Sequence, residues 1–193
     1  ALYESPTFGG ASWLSHATLM TGAWITEQHE YQLLLTTDRQ TLAQYFQNAG
    51  YRAVALMPGL KMAWPEGAFY NYSKIWDAAS LKYRGPAFGW WEIPDQYSFA
   101  QFYRAEASKR NRQPLFTFFA TISSHMPFAP TPPYQSDWWR LLSSTPYEEE
   151  TLSNALHSSF DWSNLQSAYT TAIKYDLQLL GGLLRITADQ NPI

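Results

Sequence analysis

The chain has 193 residues, 46% hydrophobic and 15% charged, which is enough length and apolar content for one folded domain with a real core and excludes a disordered chain. A net charge of -3 with scattered basic residues offers no cationic face for nucleic acid, and the lack of cysteine excludes disulfides, thiolate catalysis and Cys-ligated zinc. No stretch reaches the roughly 20 apolar residues of a membrane helix, and the first residues lack a charged-then-apolar signal pattern.

Residues 12–22 read as a first helix, with Trp13, Ala17, Met20 and Trp24 spaced as its core stripe and Gly22 as its stop. Asp38 then caps a second helix to about residue 49, with Leu42, Tyr45 and Phe46 on one side. The apolar run 52–57 reads as a buried strand, and 58–94, dense in Pro, Gly and aromatics, as long ordered loops. A helix carrying Phe99, Phe102 and Tyr103 follows Pro94-Asp95 and ends near the basic patch 109–112.

Residues 115–122, β-branched and aromatic almost throughout, read as the strongest strand and the central one. The prolines of 127–133 forbid a helix there, and helices return over 148–156 and 163–184. Helices alternating with buried strands imply a mostly parallel sheet covered on both faces, whose ligands lie beyond the carboxyl ends of the strands. His125 and the loop after Met57 lie at two such ends.

Ser12 follows the flexible pair Gly9-Gly10 and opens a helix, where backbone amides and the helix dipole favour an alkoxide or a phosphate oxygen; ordinary capping is the other reading. His16, four residues on, shares its face. An imidazole at a strand end, as at His125, can bind a phosphate oxygen or protonate a leaving alkoxide. Aromatics make up 17% of the chain, with nine Trp, and serve either as core or as a surface for a sugar or glycerol head group.

The pattern Ser-x-x-Ser-His-x-x-Leu-Met-Thr-Gly over 12–22 resembles the sulfatase signature Cys-x-Pro-Ser-Arg-x-x-Leu-Leu-Thr-Gly, with Ser12 at the nucleophile position. Ser5-Pro6-Thr7-Phe8-Gly9-Gly10, Gly50-Tyr51-Arg52, Ser124-His125-Met126-Pro127-Phe128 and Tyr175-Asp176 also resemble the sulfatase and alkaline phosphatase superfamily. Within it, the chain is most similar to the membrane-anchored phosphoglycerol and phosphoethanolamine transferases of the lipoteichoic acid synthase type.

The resemblance implies an α/β, three-layer, alkaline phosphatase-like sandwich with a mostly parallel sheet. Residues 1–193 would be an incomplete part of one catalytic domain in a longer, membrane-anchored, extracytoplasmic enzyme. It implies Ser12 as nucleophile and metal ligand, His125 as catalytic histidine, and Trp64, Lys61 and His16 at the substrate.

In the intact enzyme a divalent ion (manganese, magnesium, zinc or calcium) would prime Ser12. Its other ligands are expected outside the chain, which has no Asp-His pair and whose Glu4 and Asp176 read as ordinary surface acids, so the fragment alone is expected to bind none. The implied substrate is a phospholipid or glycan phosphodiester, attacked to give a phospho-Ser12 intermediate. Two alternatives stay open: a sulfatase or phosphomonoester hydrolase on the same scaffold, and an inactive cell-envelope glycan-binding domain using Trp64, Trp90 and Trp91.

Overall fold

In a computed structural model, residues 3–158 and 161–188 of the chain are described. The strand β1 (Arg52–Leu56) has Ala53, Val54, Ala55 and Leu56 fully buried, and it pairs along both edges. β2 (Lys74–Trp76) lies on one side and β3 (Leu115–Phe119) on the other, giving the order β2-β1-β3. The Ser73 amide bonds to Ala53 and the Met57 amide to Trp76; on the other edge Arg52 bonds to Pro114 and Ala120 to Leu56. Both registers advance in the same direction, so the three strands are parallel, as expected of buried strands joined through helices.

The expectation that 115–122 is the central strand is corrected. β3 flanks β1 and is half-buried throughout, while the small residues of β1 fit between neighbours on both sides. The aromatic content of β3 serves side-chain packing: Phe116 stacks on Phe46 at 4.3 Å between ring centroids, and Phe119 meets Phe99 at 5.9 Å. β-propensity reports fit to a pleated surface and not position within the sheet.

Contacts group the chain into two compact units, one drawn from residues 1–54, 63–74 and 113–117, the other from 55–62, 75–112 and 118–193. The first contains α1 (Ser12–Thr21), α2 (Gln28–Leu34), α3 (Leu42–Asn48) and α4 (Gly67–Tyr70). α1 stops at Gly22, whose φ of 66° is a left-handed cap, as the sequence predicts. Its buried face differs from the predicted stripe: Leu14, Ala17, Thr18, Met20 and Thr21 are inside, while Trp13 and Trp24 are about half exposed. Trp24 lies beyond the cap, where helical spacing no longer applies.

Asp38 caps nothing. Thr41 holds that role for α3 through a reciprocal capping box with Gln44, and a second such box, Glu27 with Glu30, starts the unpredicted α2. Residues 58–94, read as loops, also hold β2, α4 and α5 (Ala78–Leu81), elements too short to show a period.

In the second unit α6 (Asp95–Phe102) runs on into a π-helical turn, Tyr103–Ala107, and α7 (Glu149–Leu156) and α8 (Leu165–Ala188) follow. Phe99, Phe102 and Tyr103 are buried as predicted, with Phe102 edge-on to both Trp76 and Phe99. Among the described residues no helix is long and apolar enough to cross a membrane. Phe102→Ala removes the ring at this junction and is expected to cost about 3–5 kcal/mol, read as a lower denaturant midpoint at constant slope.

Candidate functional site

In the second unit β1 runs out into Met57-Pro58-Gly59-Leu60-Lys61, and β3 runs out into Ile122-Ser123-Ser124-His125. These are neighbouring carboxyl ends in a parallel sheet, the position where open α/β folds place ligands. The two segments approach closely at Gly59, where an added Cβ would lie 3.0 Å from the Ile122 side chain and 3.5 Å from Trp91.

The His125 turn is closed by the His125 amide on the Ile122 carbonyl and the Phe128 amide on the His125 carbonyl, both 2.9 Å. The exposed imidazole has Nδ1 2.7 Å from the Met126 carbonyl oxygen. A carbonyl only accepts, so Nδ1 carries the proton, and in the neutral ring Nε2 is left as the basic nitrogen. Trp91 lies edge-on to this ring at 4.8 Å, and its buried indole N–H has no partner. Together with Trp90, Pro127 and Phe128 they line a small cleft, on which Trp90 is 76% exposed.

Lys61, read from sequence as a solvated lysine or a substrate ligand, donates at 3.0 Å to Glu92 Oε1 and at 3.0 Å to the Trp90 carbonyl. It therefore pins the loop that carries Trp90 and Trp91, with its charge already matched.

Beneath the turn lies a pair of carboxylates, Asp95 and Asp176. Asp95, the first residue of α6, is fully buried and accepts the Ile122 amide at 2.9 Å and the Ser123 amide at 2.6 Å. Its own amide donates to Ser123 Oγ at 3.3 Å. Burial, with the nearby charge of Asp176 adding to it, outweighs these bonds and pushes Asp95 up to about 7.

Asp176, read as an ordinary surface acid, is half-buried on α8: one oxygen is buried without a partner, and the side chain is hydrogen-bonded with Ser124. Burial raises it too. The sequence signal for Asp95 is an Asp directly after Pro94 at a helix start, which reads equally as an N-terminal helix acid, and Asp176 belongs to the Tyr175-Asp176 motif.

Ser12, His16 and Trp64 belong to the first unit. Ser12 is not the predicted cap: Gly9, Gly10 and Ala11 take φ of 69°, 140° and 51°, so Ala11 is the cap residue and Ser12 the first helical one. No side chain caps α1, and Ser12 is exposed. One turn on, Ser15 Oγ lies 2.6 Å from Ser5 Oγ and 2.8 Å from Thr7 Oγ1, which ties the preceding strand of sequence over the helix start. Burial holds His16 below the usual histidine range, so it stands neutral at pH 7 where the sulfatase signature has an arginine. Trp64 is half-buried, stacked on Tyr70 at 5.4 Å and hydrogen-bonded with Tyr31.

The sulfatase pattern matches residues 5–176. The chain belongs to the sulfatase family. The solved structure of the lipoteichoic acid synthase LtaP from Listeria monocytogenes is similar to it with a TM-score of 0.65 and 13% identity, covering 96% of this chain and 42% of that one. The chain therefore spans less than half the length of that relative, and the likeness confirms the alkaline phosphatase-like α/β fold with its parallel sheet. No curated protein matches the sequence.

Sulfatase-family enzymes generally use a divalent metal. Among the described residues no three His, Asp or Glu side chains converge, and the groups bonded beside Ser12 on α1 are neutral hydroxyls. The described residues do not by themselves make a site for such an ion.

The raised carboxyls give this sulfatase-family chain a pH signature. The unfolded chain releases the Asp95 proton near pH 4 (about 3.9), whereas the folded chain keeps it to about 7. Between those values the folded state binds more protons, so stability falls as pH rises. Asp95→Asn is expected to flatten this fall, measured as denaturant midpoints at pH 5 and pH 8.

Proposed function

We propose that the chain supplies the nucleophile and the acid-base histidine of a phosphotransferase or hydrolase that acts on phosphodiesters. The substrate class is a phosphoglycerol- or phosphoethanolamine-bearing lipid or glycan, handled at the extracytoplasmic face of a membrane-anchored enzyme. The observation that carries the reading is Ser12: an exposed, signature-position serine on the first turn of a helix that no side chain caps. The family match supports the class of chemistry, and the LtaP likeness supports the scaffold.

In the first step Ser12 Oγ forms a bond to phosphorus as the bond to the departing alcohol breaks, and the serine proton goes to solvent. His125, protonated on both nitrogens, gives its Nε2 proton to the leaving alkoxide while Nδ1–H stays on the Met126 carbonyl. The ring is then neutral, and Nε2 takes the proton of the second alcohol or water as its oxygen bonds to phosphorus and the bond to Ser12 Oγ breaks, the serine oxygen recovering a proton from solvent. Trp64 and Lys61 are assigned to the head group, and His16, being neutral, offers it a hydrogen bond and no charge.

The same features weigh against a sulfatase proper. A neutral histidine replaces the signature arginine, and Lys61 is paired with Glu92. A second reading, glycan recognition without turnover, is favoured by the exposed indole of Trp90 on the cleft.

In the intact parent enzyme, assayed on a phosphodiester substrate, Ser12→Ala is expected to abolish turnover and the phosphoryl adduct on the Ser12 peptide seen by mass spectrometry. Activity at the unmutated level would overturn the assignment. His125→Ala is expected to lower kcat by about 10²–10⁴-fold.

A further inference from the structure

We infer that Asp95 is a positioning residue for His125: by accepting the amides of Ile122 and Ser123 from beneath, its carboxylate fixes the turn that carries the imidazole, and Asp176 holds Ser124 on the same turn. The inference deepens the function proposed above and rests on His125 acting in it.

Three observations carry it. The ladder between β1 and β3 ends with the Ala120 amide on Leu56, so the amides of Ile122 and Ser123 lie just past the last acceptor that the sheet provides. Asp95 takes over there, at 2.9 Å and 2.6 Å, across 27 and 28 residues of sequence.

The carboxylate is also withheld from its usual local task. An acid in the first turn commonly serves its own helix through the dipole and the free amides, yet both Asp95 oxygens are turned to the remote segment. A fully buried carboxylate is costly to keep, and here it contacts the segment three residues before the imidazole.

The grip comes from two directions. The groups facing Asp95 are Ser123 of the turn and Tyr175 and Asp176 of α8; Tyr175 accepts the Gln96 amide at 3.1 Å and so fastens α8 to the residue after Asp95. Gln96 in turn exchanges bonds with the backbone of Gln135 at 2.6 Å and 2.9 Å. With helix starts and a long helix fixed on either side, the turn has one seat.

The test separates geometry from charge. Asp95→Ala removes both acceptors, whereas Asp95→Asn keeps an amide oxygen that can accept the same two N–H groups. By NMR on the chain, Asp95→Ala is expected to raise the exchange rates of the Ile122 and Ser123 amides at least tenfold and to shift the His125 ring signals. Asp95→Asn restores both. In the parent enzyme the expected change is a fall in kcat at near-constant KM for the alanine variant, recovered by asparagine.

Unchanged exchange and ring signals in Asp95→Ala would overturn the inference. If that variant does not fold, the unmutated chain decides: the Asp95 carboxyl carbon and the two amides should titrate with one midpoint, and separate midpoints would overturn it. Normal turnover in His125→Ala would instead remove the catalytic reading of the histidine and leave the exchange result standing.

Discussion

Where a β-ladder runs out, the next backbone amides need acceptors, and in this chain a buried carboxylate provides them. The rest of the second unit's chemistry is arranged around that substitution. Asp95 receives Ile122 and Ser123, the turn that results projects His125 into the cleft, and Trp91 stands edge-on against the imidazole. Without an acceptor from below, the segment after Phe119 would have solvent as its partner and several orientations open to it.

Much of this was legible in the amino acids and some was not, for reasons that can be named. Gly22 and the aliphatic run of β1 were readable because a left-handed stop and a fully buried strand have strong local signatures. β2 is three residues long and α5 four, shorter than any period, so residues 58–94 looked structureless. Trp13 lies at helical spacing from buried residues yet is about half exposed, because large aromatic residues are apolar by composition without being bound to the interior, and Trp24 lies past the Gly22 stop.

The site divides the same way. Ser12 and His125 were singled out as candidates through motif and strand-end position, both local properties. The contacts of Asp95 and Asp176 were not legible, since each reaches a turn that is distant in sequence: 27 residues for the first and, for the second, more than 50 to Ser124. At 13% identity, the likeness to LtaP describes how the chain is folded and leaves the chemistry to individual side chains. Those side chains depart from the sulfatase signature in charge at His16, a neutral histidine standing where the signature has an arginine.

Ala11 holds a left-handed conformation despite its methyl group, a strain of roughly 1–2 kcal/mol that glycine would avoid. The backbone twist through Gly9, Gly10 and Ala11 thus begins α1 without borrowing a side-chain oxygen. The neighbouring serine is thereby spared the work of capping, and it stands exposed at the first helical position.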